Sequence, residues 1–129
     1  MEIDVAAGYC TVQDVDDMIQ RIVKITGSVP APTRLVIAAD WRLCPLFTEP
    51  VAKRVVEMLA RHSDRIERSA ILHREDQPTS VLQVFRLLHE AEQTHRRIFT
   101  HVSEAEEWLG ELLTEAERSR LHAFWNQQR

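Results

Sequence analysis

Glycine is scarce in this chain of 129 residues, which contains only three. A loop that wraps a phosphate group needs several glycines close together, because only a backbone without side chains approaches the phosphate closely enough. Gly8, Gly27 and Gly110 are far apart in the sequence. The composition therefore argues against a glycine-rich phosphate-binding loop of any kind.

Cysteine is also scarce, since Cys10 and Cys44 are the only two in the chain. Their separation excludes a Cys-x-x-Cys pair, which redox motifs and many zinc sites use. A chain with two distant cysteines is typical of a reducing compartment. We therefore expect two ordinary buried thiols in a cytoplasmic protein.

Long hydrophobic runs and a strong charge of one sign are missing as well. No apolar run approaches the roughly 20 residues that cross a bilayer. The first residues carry Glu2 and Asp4 where a secretory signal carries bases. With 16 basic and 20 acidic residues, the formal net charge of −4 gives no general attraction to nucleic acid or anionic membranes. We expect no membrane insertion and no nucleic-acid partner.

No catalytic signature appears in the sequence. None of the six histidines forms a His-x-His, His-Glu-x-x-His or His/Cys pair at metal-ligand spacing. A zinc site built from Asp40, Cys44 and His73 is conceivable, but structural zinc takes four ligands at characteristic spacings. We therefore expect no metal, no cofactor and no enzymatic activity.

Hydrophobic spacing that switches between strand-like and helical periods organises the chain. The segment TRLVIAAD predicts a buried strand over 33–40, TEPVAKRVVEMLARH predicts a helix over 48–62, and IERSAILH predicts a strand over 66–73. Such a strand, helix and strand make a right-handed crossover between parallel strands. The helix should bury a face formed by Val51, Val55, Met58, Leu59 and His62.

Two further elements precede this crossover. Residues 1–8 alternate apolar and acidic side chains, which predicts a half-buried strand at the edge of the sheet. Thr11 with Asp14 is a helix-start signal, and Gly27 is placed to end that helix. The inward face of the helix should carry Val12, Val15, Met18, Ile19, Ile22, Val23 and Ile25.

Four more elements follow the crossover. A helix from Thr79 or Ser80 precedes a short strand, RRIF, over 96–99, and the helix should bury Val81, Val84, Phe85, Leu88 and Ala91. Ser103 with Glu106, and Thr114 with Glu117, predict capping boxes that open two last helices. The resulting order predicts a single α/β domain, with about four mostly parallel or mixed strands flanked by helices and an extra C-terminal helix.

These segments together resemble the STAS domain, the fold of sulfate-transporter tails and anti-sigma-factor antagonists. More narrowly, they resemble its small bacterial STAS/SEC14-like branch. The resemblance rests on the strand LVIAAD ending in Asp40, the helix opening near Thr48, the strands IERSAIL and RRIF, and the helix SEAEEWL. It covers residues 1–112, and residues 113–129 form a helical extension of the same domain. It implies a non-catalytic regulatory module of bacterial signalling.

A docking surface for a protein partner is predicted where the central strand ends. Open α/β sheets present ligands and partners at the carboxyl ends of their strands, and Trp and Arg are common anchors there. The predicted surface comprises Asp40, Trp41, Arg42, Thr48, Lys53, Arg54 and Glu57. Trp41 could equally cover the end of the sheet, and Asp40 could pair with a nearby Arg.

Thr48 is the candidate phosphosite. Antagonists of the resembled family carry a phosphorylatable Ser or Thr near the start of the central helix. A phosphate at that position is favoured by the free N–H groups of the helix N-terminus. The alternative is a plain N-cap, which stabilises a helix by about 1 kcal/mol.

The last helix has one apolar face, formed by Leu121, Phe124 and Trp125. It either docks onto the domain's own core or fills the groove of a partner, including a second copy of the chain. The arginines between residues 61 and 97 alternate with acids, which predicts a solvated and mutually compensated surface. They are Arg61, Arg65, Arg68, Arg74, Arg86, Arg96 and Arg97.

Two other functions remain open. The SEC14-like side of the resemblance implies a carrier of a small apolar or lipid ligand, which requires a cavity between the sheet and the helices. A small phosphoryl or acyl transferase has the weakest support, since it would need a deep polar pocket around Asp40 and His73.

Overall fold

The computed structural model of the chain describes residues 2–6, 8–30, 33–61, 65–92 and 94–127. Its strands are β1 (Glu2–Ala6), β2 (Leu35–Asp40), β3 (Ile66–Leu72) and β4 (Arg96–Phe99). Its helices are α1 (Val12–Ser28), α2 (Glu49–Ala60), α3 (Pro78–Glu90), α4 (Val102–Gly110) and α5 (Glu115–Gln127). The predicted α/β class and order of elements are confirmed. The predicted inward residue His62 lies outside the described residues.

The strands form one sheet in the order β1-β2-β3-β4, and each adjacent pair is parallel. Each crossover moves one place in the same direction, and right-handed crossovers then bring α1, α2 and α3 onto one face of the sheet. Helices α4 and α5 follow the last strand and cover the opposite face. The fold therefore has three layers, with the predicted edge strand β1 at one side.

Strand β2 is buried along its whole length. Ile37 and Ala39 face α1, α2 and α3, whereas Val36 and Ala38 face α4 and α5. A strand covered on both faces carries apolar residues at successive positions, which explains the uncharged run in the sequence. Asp40 ends the strand and is only 4% exposed.

The buried carboxylate of Asp40 is neutralised by Arg42. The Nε and Nη2 atoms of Arg42 donate to the two carboxylate oxygens at 3.0 and 2.7 Å. The same Nη2 atom donates to the backbone oxygen of Trp125 at 2.5 Å. Because the last carbonyls of a helix lack partners within the helix, this contact also caps α5. Asp40 and Arg42 therefore hold the fold together and do not form an exposed docking surface, which corrects that prediction.

Helix α5 packs onto the domain's own core. Leu121 and Trp125 are 1% and 0% exposed, and Phe124 packs against the same cluster. The structure therefore agrees with the first interpretation of this helix, in which it docks onto the domain's own core. Its apolar face is therefore not available to a partner in this arrangement.

Several local predictions need correction. Phe85 is 61% exposed although it was predicted to point inward, and Val23 is 52% exposed. Cys10 is exposed, while Cys44 is buried as predicted. Helix α4 begins two residues earlier than predicted, with His101 as its N-cap, so Ser103 already lies within the helix and forms no capping box.

Two predicted helix starts are confirmed, and one helix continues a residue beyond its predicted end. The capping box of Thr11 with Asp14 is present, and Thr114 and Glu117 exchange the two bonds of the second box. Helix α1 continues past Gly27 because the hydroxyl of Ser28 donates to a carbonyl of the last turn at 2.7 Å. No helix within the described part of the chain is long and apolar enough to cross a lipid bilayer.

Replacing Arg42 with Met should destabilise the protein by about 3 kcal/mol, because removal of one partner leaves the carboxylate of Asp40 buried and unpaired. Urea unfolding measures the change. Arg74→Met is the matched control, since Arg74 makes the same two-pronged contact with Asp76 at the surface. It should have a much smaller effect. Equal losses in the two variants would contradict the structural role of Asp40 and Arg42.

Candidate ligand-binding cavity

A cavity of about 210 Å³ lies between the sheet and helices α1 and α2, and it is partly open to solvent. Most of its wall is apolar. The apolar and aromatic side chains of the wall are Val5, Tyr9, Ile19, Ile22, Val23, Ile37, Ala39, Trp41, Met58, Leu59, Ile66 and Ile71. The cavity therefore suits a ligand whose body is apolar.

Small side chains on the sheet leave the space for this cavity. Ala39 on β2 and Ser69 on β3 both line it, and their larger neighbours across the sheet are Ile71 and Ile37. Helix α1 roofs the cavity with Ile19 and residues of its C-terminal half. The sheet therefore forms a floor of alternating large and small residues, and the side chains of α1 do not fill the space above the small ones.

Arg96 carries a positive charge into the wall of this cavity. It pairs with Ser69 in the register of β3 and β4, and its Nη1 atom donates to the hydroxyl of Ser69 at 3.2 Å. Its Nε atom is buried without a hydrogen-bond partner among the described residues. Burial lowers the pKa of Arg96 to about 10, because desolvation penalises the charged guanidinium. At neutral pH it remains protonated.

Three residues of the wall each carry a buried polar atom that lacks a hydrogen-bond partner within the described part of the chain and is enclosed by protein. These atoms are Nε of Arg96, Nε1 of Trp41 and Oγ1 of Thr26. Leaving such an atom unsatisfied costs about 1–3 kcal/mol. The cavity therefore combines an apolar wall with the guanidinium of Arg96, whose Nη2 atom has no partner among the described residues.

Tyr9 also lines the cavity, where it contacts Trp41 and Met58. Its ring meets that of Trp41 edge-on, with the ring centroids 5.4 Å apart, and its hydroxyl lies 3.8 Å from Sδ of Met58. Burial raises the pKa of Tyr9 far above its ordinary value, so the phenol stays neutral. The positive charge of Arg96 acts in the opposite direction on that pKa, which places the guanidinium near the phenol.

Trp41 is the one predicted docking residue that the structure brings to this cavity. It is 2% exposed and packs against Tyr9 and Phe47. It therefore covers the end of the sheet, which was the stated alternative, and is not an exposed anchor. Asp40 and Arg42 lie on the opposite face, beside α5.

The remaining predicted residues lie on α2 or at its start. Thr48 is exposed at the N-cap of α2 and makes no side-chain cap hydrogen bond. Lys53 is exposed. Arg54 donates to Asp16 of α1 at 2.5 Å and to Glu57 at 2.6 Å, so it ties two helices together. These residues do not form one site with Trp41.

His73 is buried as a neutral imidazole. Its Nδ1 atom accepts the backbone N–H of Arg74 at 2.7 Å, so the ring proton belongs on Nε2. Desolvation lowers the pKa of His73 below its ordinary 6.5; the charge of Arg74 adds to this shift and that of Asp40 opposes it. No group of three or more His, Cys, Asp and Glu side chains in the described ranges is arranged to hold a metal ion.

Arg96 was predicted to lie on a solvated, charge-compensated surface, and that prediction is wrong for this residue. The signal that could have found it is the alternation of side chains along a strand. Arg96 and Ile98 share the cavity face of β4, whereas Arg97 and Phe99 face the other layer, where Arg97 lies 4.8 Å from the ring centre of Trp108. Tyr9, Thr26 and Ser69 carry no comparable signal in the sequence.

Comparisons of this chain with protein-family models, with curated proteins and with solved structures find no significant match. The resemblance to the STAS domain therefore stays a prediction. What the chain binds must follow from its own residues and their geometry.

The pKa of His73 predicts a loss of stability in acid. The folded state takes up the proton of His73 at lower pH than the unfolded state, so the free energy of unfolding should fall as the pH drops below 6.5. His73→Asn keeps an acceptor for the N–H of Arg74 but cannot titrate. The test is urea unfolding between about pH 5 and pH 8, the range in which His titrates. The free energy of unfolding of this variant should depend less steeply on pH than that of the unchanged protein. Identical pH dependences would contradict the prediction.

Proposed function

We propose that this chain is a non-catalytic binding module for a small apolar ligand, held in the cavity between the sheet and helices α1 and α2. The observation that carries the proposal is a cavity of about 210 Å³ whose wall is mostly apolar and includes the guanidinium of Arg96. An apolar cavity of about 150 Å³ suffices to bind benzene. This proposal develops the small-ligand carrier that the sequence left as an alternative.

The composition of the wall supports binding without chemistry. None of the described residues that line the cavity is Asp, Glu, His or Cys. Ser69 and Thr26 line the wall, but a hydroxyl becomes a nucleophile only beside a general base, and the described lining residues include no Asp, Glu, His or Lys to act as one. Cys44 lies nearby in the same core, but burial raises its pKa to about 12, so it stays a protonated and unreactive thiol.

The size of the cavity limits the ligand. On the scale set by benzene, it holds about eight non-hydrogen atoms. A short chain or a single ring fits this volume, whereas a membrane lipid with full acyl chains does not. The ligand class is therefore a small metabolite-sized molecule with an apolar body.

The mouth of the cavity lies between the ends of α1 and α2. Among the lining residues, Val23 and Arg61 are exposed, and both belong to these ends. Arg65 fixes the end of α1, because its guanidinium donates to the backbone oxygens of Thr26 and Val29 at 3.1 Å. The mouth therefore has a firm rim on the side of β3.

Filling the cavity should abolish binding. Ala39 lies in the floor of the cavity, so Ala39→Leu places additional methyl groups where the ligand sits. The probe is 1-hexanol, a neutral molecule of suitable size, titrated into the full chain by isothermal calorimetry. Saturable binding should be present in the unchanged protein and lost in the variant, with circular dichroism confirming the fold.

Ala60→Leu is the matched control, since it makes the same substitution at an exposed position outside the cavity. It should bind 1-hexanol as the unchanged protein does. Absence of saturable binding in the unchanged protein, or equal binding in Ala39→Leu, would overturn the proposed function.

A second candidate function is protein docking, as the sequence predicted, but through other residues. Leu43 and Leu46, in the loop before α2, are 74% and 54% exposed, and Leu82 and Phe85 of α3 are 56% and 61% exposed. Leu82 and Phe85 line one shallow surface depression together with Pro78 and Val81, and contiguous exposed apolar side chains mark interaction surfaces. We propose that a regulatory or signalling protein docks on this loop and helix, and that Thr48, exposed at the end of the loop, is its phosphosite.

The loop and α3 are held together by Gln83. Its side chain accepts the backbone N–H of Phe47 at 2.8 Å and donates to the backbone oxygen of Phe47 at 3.0 Å. The exposed leucines of the loop and the exposed residues of α3 are thus presented from one rigid unit.

Removing apolar area from α3 should release the partner. The double variant Leu82→Ser and Phe85→Ser should lose proteins that co-purify with the unchanged chain from its native cell, as read by mass spectrometry. Val23→Ser, exposed but at the mouth of the cavity, should retain them. A partner that remains bound to the double variant would remove this surface from consideration.

A further inference from the structure

Among the residues that the structure describes, Arg96 has no carboxylate partner. Five arginines in the described residues reach a carboxylate oxygen within 2.7 Å; these are Arg34, Arg42, Arg54, Arg68 and Arg74. Arg96 forms no such pair there, and its one hydrogen bond goes to the neutral hydroxyl of Ser69. A buried guanidinium without a counter-charge is costly, because desolvation is not offset by attraction.

The polar residues of the cavity wall also favour a ligand with a negative charge. Arg96 lines the cavity and donates through Nη1 to Ser69, and its Nη2 atom has no hydrogen-bond partner among the described residues and is not enclosed by protein. No described residue of the wall is acidic. The charged part of the wall is therefore the guanidinium of Arg96, with that of Arg61 at the exposed edge, which fits an anionic acceptor.

We infer that the natural ligand of the cavity is a small monocarboxylic acid, whose carboxylate binds Arg96 and whose short chain or ring lies against the apolar wall. This inference rests on the proposed ligand-binding function and assigns the chemical class of the ligand. Arg96 is the residue that anchors it, and Ser69 is the residue that positions the guanidinium.

A carboxylate fits Arg96 better than a phosphate does. The planar guanidinium offers parallel donors to the two oxygens of a carboxylate. A single guanidinium neutralises a monoanion, whereas a phosphate monoester would leave a second negative charge in an apolar surrounding. Arg61 does not alter this balance, because it is exposed at the mouth and solvated.

A matched pair of probes tests the inference on the full chain. Hexanoate and 1-hexanol differ mainly in the head group, and both suit the volume of the cavity. Isothermal calorimetry at pH 7 should show hexanoate binding about ten- to a hundredfold more tightly, the range expected for hydrogen bonds to a charged group. This comparison uses the unchanged protein and does not depend on the folding of any variant.

Arg96→Met and Arg97→Met locate the effect. The two arginines are adjacent on β4 but point to opposite faces, and Arg97 packs over Trp108. Arg96→Met should lose the preference for hexanoate while still binding 1-hexanol. Arg97→Met should keep the preference.

The outcomes separate this inference from the proposed function. Equal affinity for hexanoate and 1-hexanol in the unchanged protein would overturn the carboxylate assignment and leave an apolar-ligand module. A preference that persists in Arg96→Met would overturn the role of Arg96. Failure of both probes to bind would overturn the proposed function and this inference together.

Discussion

Burial of β2 on both faces is the constraint on which the other elements depend. Its residues must face apolar layers on two sides, so α1, α2 and α3 cover one side and α4 and α5 cover the other. The charged residue that ends the strand, Asp40, is tolerated because Arg42 neutralises it and then reaches the end of α5. The guanidinium of Arg42 thus neutralises the carboxylate at the end of the strand and holds the last helix in place.

The two faces of the sheet are filled differently, and this difference separates structure from function. On the face of α4 and α5, Trp125 is fully buried and Trp108 lies beneath Arg68 and Arg97, so large side chains occupy the space. On the opposite face, Ala39 and Ser69 leave a cavity that α1 does not fill. Interiors are normally close-packed, so this cavity is a departure from ordinary packing that only one face of the sheet shows among the described residues.

Much of the fold could be predicted from the sequence, because hydrophobic periodicity reports which face of each element is buried. The four strands, the crossovers and two of the three predicted capping boxes follow from local residue patterns. The site could not be predicted in the same way. Whether Trp41 is an anchor or a cover depends on Tyr9 and Phe47, which are distant in sequence.

Arg96 shows most clearly what sequence patterns leave undecided. Acids lie near it in the chain, which suggested a compensated surface, yet pairing depends on which face of β4 each side chain takes. Arg97 faces outward over Trp108 while Arg96 turns into the apolar layer. Whether a charged side chain is paired therefore depends on which face of its strand or helix it occupies. Counting charges along the chain could not show that Arg96 has no carboxylate partner among the described residues.

Trp41 connects the two proposed functions. Its indole forms part of the cavity wall, and its backbone oxygen accepts the N–H of Cys44 at the start of the loop that exposes Leu43 and Leu46. A ligand alters that loop only to the extent that it binds one arrangement of Trp41 more tightly than another.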